Sequence, residues 1–170
     1  MSTHPAVAEI DALTSLLLER EVDFILIGGA AAMVHGSPTG TQDYDIVHSR
    51  APANVERLIA ILVNELDAYF RSDLSGRRLV PTASHLAGKG QILLTTRLGP
   101  FDLPGTLHDG RGYDELLPHT TAFDFDGRPF RVLDLATLIE VKTAAGRPKD
   151  KVVVAELMPI LERLKNPPGK

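Results

Sequence analysis

Asp43 and Asp45 carry the most chemistry in this chain: two carboxylates one residue apart in Thr41-Gln42-Asp43-Tyr44-Asp45. If that stretch is a strand, successive side chains alternate faces, so Thr41, Asp43 and Asp45 point one way while Tyr44 and Ile46 point the other. The apolar pair then anchors the strand to a core, and the two acids share one face roughly 7 Å apart along the backbone. Like charges at that spacing repel, which a fold tolerates with a divalent cation between them or with both groups in water at a strand end.

Twenty residues before Asp43, Asp23-Phe24-Ile25-Leu26-Ile27-Gly28 begins what reads as a short buried strand, and it ends in Gly28-Gly29 before the helix-forming run Ala30–Val34. A strand that opens directly into a helix through two glycines leaves unpaired N–H groups at the helix start, with no side chain to block an approaching anion. The same pair also suits a plain tight turn. Neither G-x-G-x-x-G nor G-x-x-x-x-G-K-[ST] is present, so dinucleotide and P-loop fingerprints are excluded.

Other elements must hold these residues in place. Apolar spacing at Ile10, Leu13, Leu16 and Leu17 predicts a first helix over about 7–21, and the second helix ends near His35-Gly36. Ser37-Pro38-Thr39-Gly40 is turn chemistry, and Tyr44–Val47 is a strand. Pro52 opens a long predicted helix through Phe70. Residues 71–90, rich in Gly, Ser and Arg, show no clear period. Gln91–Thr96 and Gly99–Leu103 are two strands joined at Arg97–Gly99, and Thr121–Phe125 and Pro129–Leu133 form a hairpin around Asp126-Gly127. Asp134 caps a helix that stops at Gly146, a last helix runs from Pro148 to Leu164, and Asn166–Lys170 is a frayed tail. This order describes an α+β fold, a mixed β-sheet with helices packed on it, in a single domain of 170 residues with a helical, basic part over about 134–165.

Composition narrows the chemistry further. The chain is 44% hydrophobic and 24% charged, with a net charge of −4 that argues against coating nucleic acid by bulk electrostatics. Residues 1–126 hold 9 Lys+Arg against 17 Asp+Glu, net −8, whereas 127–170 hold 9 against 5, net +4. An acidic body with a basic C-terminal part suits a ligand that is anionic and metal-bound. With no cysteine, any metal must sit on oxygen or histidine, and thiolate chemistry drops out. No apolar run is long enough to span a membrane and the opening residues do not read as a signal peptide, so a cytoplasmic protein is expected.

Ile27-Gly28-Gly29-Ala-Ala-Ala-Met-Val-His35-Gly36 followed by Ser37-Pro-Thr39-Gly-Thr41-Gln-Asp43-Tyr-Asp45-Ile46 resembles the active-site signature of the DNA polymerase β-type nucleotidyltransferase superfamily, above all its small stand-alone bacterial members such as the AbiEii-like toxins. The resemblance extends through Leu138-Ile-Glu-Val-Lys142-Thr-Ala-Ala-Gly146-Arg147-Pro-Lys149-Asp150 and covers about residues 23–157. It implies a nucleotidyltransferase (polymerase β-like) core in which three carboxylates hold two Mg²⁺ ions, with Mn²⁺ as a substitute. The reaction it implies moves a nucleoside monophosphate from a nucleoside triphosphate to an acceptor hydroxyl.

The resemblance places the third carboxylate on a later strand. Asp102 fits, because Phe101 and Leu103 can anchor one face while Asp102 turns to the other, as Tyr44 and Ile46 do around Asp45. Asp126 is needed by the Asp-Gly turn, and Asp124 lies on a hairpin face. Asp43, Asp45 and Asp102 are therefore the expected catalytic and metal-binding residues, with Asp102 the best placed to act as base. Gly28, Gly29, Thr41, Lys142, Arg147 and Lys149 are the expected nucleotide-binding residues, and Asp150 orients Arg147 or Lys149. By charge alone the basic residues would be solvated helix-end groups. Two positions depart from the family pattern: Gly29 stands where many relatives carry Ser, and Thr39 where they carry Arg. His35 is expected to pack or cap.

The acceptor implied is an RNA 3′ end such as that of tRNA, a protein, or a small molecule such as an aminoglycoside, and an antitoxin is an expected partner. Two other readings compete. Asp102 with Glu140-Val-Lys142 imitates a nuclease D…E-x-K site, but the helical spacing around Lys142 sets Glu140 and Lys142 on nearly opposite sides. A non-catalytic relative that binds a nucleotide or a partner is the alternative.

Overall fold

The computed structural model describes residues 4–72 and 75–169. Helix α1 (Ile10–Glu19) leads into strand β1 (Phe24–Ile27), which passes without a loop into α2 (Gly28–His35). Strand β2 (Tyr44–His48), helix α3 (Pro52–Ala60) and the short strand β3 (Tyr69–Phe70) follow. A one-turn helix α4 (Ala83–Ala87) precedes the hairpin of β4 (Gln91–Thr96) and β5 (Gly99–Pro104). The short α5 (Tyr113–Leu116), a second hairpin of β6 (Thr120–Phe125) and β7 (Arg128–Leu133), and helices α6 (Leu135–Ala145) and α7 (Pro148–Lys165) complete the chain.

The seven strands form one mixed sheet in the order β3-β4-β5-β2-β1-β7-β6. Its centre is β1 and β2, antiparallel to each other; β1 lies parallel to β7, and β2 parallel to β5. All four residues of β1 are buried, as expected of a strand covered on both faces. On β2, Tyr44, Ile46 and Val47 are fully buried, and the Tyr44 hydroxyl hydrogen-bonds Thr14 of α1 at 2.8 Å. Asn54 of α3 accepts from the Asp23 amide and donates to the Asp23 and Ser49 carbonyls, which ties that helix to the end of the antiparallel β1–β2 pair where Asp23 and Ser49 lie side by side.

Several expected local signals appear. Asp134 caps α6 by accepting from the Thr137 amide at 2.8 Å, and Gly146 ends the helix at φ +63°. Asp126 and Gly127 both take positive φ, as a two-residue hairpin turn requires. Asp124 accepts from the Gly127 amide, so both acids of that hairpin serve its turn.

The long helix expected over 52–70 is not observed. It ends at Ala60, widens to a π turn over Ile61–Glu65, and is broken at Asp67, whose φ is +48°. Leu62 and Leu66 are fully buried, and the chain then reverses so that Tyr69-Phe70 can join the sheet beside β4. The π turn and reversal fit the pull of that sheet edge on two aromatic residues of high strand propensity. Within 71–90, Thr82 and His85 form a reciprocal cap on α4. Lys170, at the end of the expected tail, and residues 73–74 of the uncertain stretch lie outside the described residues.

Candidate active site

Thr41, Asp43, Asp45, Gly28, Gly29, Asp102, Lys142, Arg147 and Lys149 all line one cleft of about 630 Å³. Strand pairing explains why the acids meet. Asp45 pairs with Ile27 across β1–β2 and with Asp102 across the parallel β2–β5 pair, so Asp45 stands between the glycine turn and Asp102. Phe101 and Leu103 are fully buried on the other face of β5. Asp43 and Thr41 do not belong to the strand, which begins only at Tyr44. They reach the cleft from the end of the turn, and their shared facing comes from the loop rather than from strand alternation.

Gly28 sits at φ +67°, and a Cβ there would collide with the Asp45 carboxylate. A Cβ at Gly29 would stand 2.7 Å from both Cβ and Oγ1 of Thr41. Thr41 therefore fills the space a side chain at position 29 would need, and its hydroxyl lies beside the bare backbone of the α2 N-terminus.

Burial pushes the Asp45 carboxyl up to about 7, reinforced by the charges of Asp102 and Asp43 and opposed by Lys142. Asp102 is raised by burial as well, but the hydrogen bond and charge of Arg71 hold it back. Arg71 Nη2 donates to Asp102 Oδ1 at 2.7 Å and to the Leu94 carbonyl at 2.8 Å. Among the described residues no group of three His, Cys, Asp or Glu stands close enough to form a finished ion cage. The donor set still fits a divalent cation: three acids on one cleft, two of them held above the usual carboxylate range by burial and mutual repulsion, and all oxygen ligands of the kind Mg²⁺ takes.

The opposite wall is built by α6 and α7. Lys142 and Asp150 are buried with Nζ to Oδ1 at 3.4 Å, and Arg147 Nε donates to Asp150 Oδ2 at 2.7 Å. Burial alone would raise Asp150, but the Arg147 hydrogen bond and the Lys142 and Arg147 charges outweigh it and hold the acid low. Asp150 thus positions Lys142 and Arg147, both of which act electrostatically on or with Asp45. Lys149 lines the same wall.

Four groups escaped the sequence. Glu156 of α7 accepts from Ser37 Oγ at 2.6 Å and from the Thr39 hydroxyl, so the turn before Asp43 is tied to α7 and Thr39 faces that helix. Arg71 fell in the stretch without a period. Lys89 and His108 also line the cleft, near the Asp102 end of β5. His35 is a packing residue, with Nε2 2.8 Å from the Leu133 carbonyl and its ring edge-on to Phe123.

The fold is that of a nucleotidyltransferase. Among solved structures, the lincomycin-bound lincosamide antibiotic adenylyltransferase LnuA matches it with a TM-score of 0.60, over 92% of this chain and 99% of that one, at 12% identity. The sequence matches no protein-family model and no curated protein. Among the described residues no helix is long and apolar enough to cross a membrane.

Proposed function

We propose that this protein is a metal-dependent nucleotidyltransferase that moves a nucleoside monophosphate from a nucleoside triphosphate to an acceptor hydroxyl and releases pyrophosphate. The observation that carries the reading is the meeting of Asp43, Asp45 and Asp102 with Gly28-Gly29, Lys142 and Arg147 in one cleft. The amides of the α2 N-terminus receive phosphate oxygens, with Thr41 supplying a hydroxyl beside them. Lys142, Arg147 and Lys149 bind the β- and γ-phosphates from the α6–α7 wall. Asp43, Asp45 and Asp102 would hold two Mg²⁺ ions, or Mn²⁺, which when bound offset phosphate charge and make the acceptor hydroxyl more acidic. Asp102, at the edge away from the glycines, takes the hydroxyl proton as the oxygen attacks the α-phosphorus and pyrophosphate leaves.

Similarity to an antibiotic adenylyltransferase in fold adds small hydroxyl-bearing antibiotics to the acceptors under test. The toxin role, with an antitoxin partner, rests on the AbiEii-like sequence resemblance. The nuclease reading loses ground, because Glu140 is exposed and paired with Arg111 while Lys142 is buried with Asp150. A non-catalytic nucleotide-binding relative stays the second reading, favoured by acids that stand short of an ion cage.

The test is incubation with each α-³²P nucleoside triphosphate, Mg²⁺ and, in turn, tRNA, bacterial lysate protein, an aminoglycoside and lincomycin. Label transferred to one acceptor by the wild type and not by Asp45→Asn supports enzyme action. Mg²⁺-dependent nucleotide binding with no transfer to any of them supports the second reading.

A further inference from the structure

Among the described residues, Arg71 is the one basic side chain that bonds a cleft carboxylate of the β2–β5 pair, and it does not belong to the α6–α7 wall. Its backbone amide donates to the Leu93 carbonyl at 3.0 Å, and its Nη2 reaches both the Leu94 carbonyl and Asp102 Oδ1. The residue is thus held at both ends on β4, the strand that pairs directly with Asp102 through Leu93. One nitrogen, Nη2, donates both side-chain bonds, which fixes it between Leu94 and Asp102, and its bond to Asp102 at 2.7 Å is of the short, charge-assisted kind.

We propose that Arg71 is a positioning residue: it occupies Asp102 Oδ1 and so presents Oδ2 to the cleft as the oxygen that joins Asp43 and Asp45 around a divalent cation. This inference rests on the nucleotidyl-transfer reading of the site. Asp102 has a 12% exposed side chain and meets Asp45 both in register and through a side-chain hydrogen bond; when both acids ionise around a cation that bond is lost, and Arg71 is left to hold the carboxylate. Groups that hold metal ligands in orientation are commonly worth 10–100-fold in metal affinity.

Positioning and plain charge predict opposite signs. Deleting a nearby positive charge should by itself tighten binding of a divalent cation, whereas deleting an orienting donor should weaken it. The experiment measures Mn²⁺ binding by electron paramagnetic resonance for the wild type, Arg71→Met, Arg71→Lys, Asp102→Asn and the Arg71→Met/Asp102→Asn double variant. Arg71→Met should weaken Mn²⁺ about tenfold or more. Arg71→Lys, which keeps the charge on a shorter side chain that does not set its nitrogen in the same place between Leu94 and Asp102, should fall between it and the wild type, and serves alone if Arg71→Met does not fold. In the Asp102→Asn background, removing Arg71 should have no further effect. Unchanged or tighter Mn²⁺ binding in Arg71→Met, or in Arg71→Lys where that variant stands alone, overturns the proposal. So does an Arg71→Met effect that persists without Asp102. A wild type that binds no Mn²⁺ would defeat the nucleotidyl-transfer reading itself, an outcome distinct from wild-type binding that ignores Arg71.

Discussion

Asp45 and Asp102 are register partners on two parallel strands, and among the described residues only Asp102 has an arginine bonded to it. Burial, with the charges of Asp102 and Asp43 and a side-chain hydrogen bond shared with Asp102, pushes the Asp45 carboxyl up to about 7, whereas the Arg71 bond holds Asp102 back.

That asymmetry sets a pH dependence for the metal-free protein. An aspartate in an unfolded chain titrates near 3.9, well below Asp45 in the fold, so between those values the folded state binds more protons. The Asp45 contribution to stability should therefore fall as pH rises from about 4 to about 7 and level off above. Urea unfolding of the wild type and Asp45→Asn in chelator should show this slope in the first and its loss in the second.

Mg²⁺ should reverse the trend. A cation among the three acids displaces the proton of Asp45, so calorimetry at pH 6 in buffers of different ionisation enthalpy should detect proton release on Mg²⁺ binding. Asp45→Asn should release fewer.

On the other wall, Asp150→Ala strands Lys142, a buried cation, and removes the cap on Arg147. Breaking one side of a buried pair destabilises by about 3–5 kcal/mol, and with Lys142 able to turn toward the cleft the expected loss is at the lower end. Thermal melts check the stability, and fluorescent nucleotide titration should show weakened triphosphate binding.

Gly29→Ala should collide with Thr41 at a site where nothing but the hydroxyl side chain can yield. Overpacking of this kind costs about 1–3 kcal/mol. Thr41→Gly should restore the stability of Gly29→Ala but not its nucleotide affinity, if the Thr41 hydroxyl contacts phosphate.

Much of this architecture could be read from local pattern. Tyr44 and Ile46 flanking Asp45, and Phe101 and Leu103 flanking Asp102, announced both acid-bearing strands, and Asp134 and Gly146 bounded α6, because each signal lies within a few residues. The clasp of Glu156 on Ser37 and Thr39 spans more than a hundred residues and has no local trace. Arg71 stayed hidden for a related reason: the apolar run 58–66 continued a helical period that the sheet edge then interrupted at Asp67. Tertiary pairing of Tyr69-Phe70 with β4 overrode helix propensity there.

The central claim, that the three acids and the glycine turn form a metal–triphosphate site, is tested most directly by melting temperature. Wild-type protein with Mg²⁺ and saturating non-hydrolysable nucleoside triphosphate, at about 100 times Kd, should gain about 2.7 kcal/mol, roughly 5–10 °C for a chain of this size. Nucleotide without Mg²⁺, and Asp45→Asn with both, should gain little. A wild type indifferent to Mg²⁺ with every nucleoside triphosphate, melting in step with Asp45→Asn, would contradict the account.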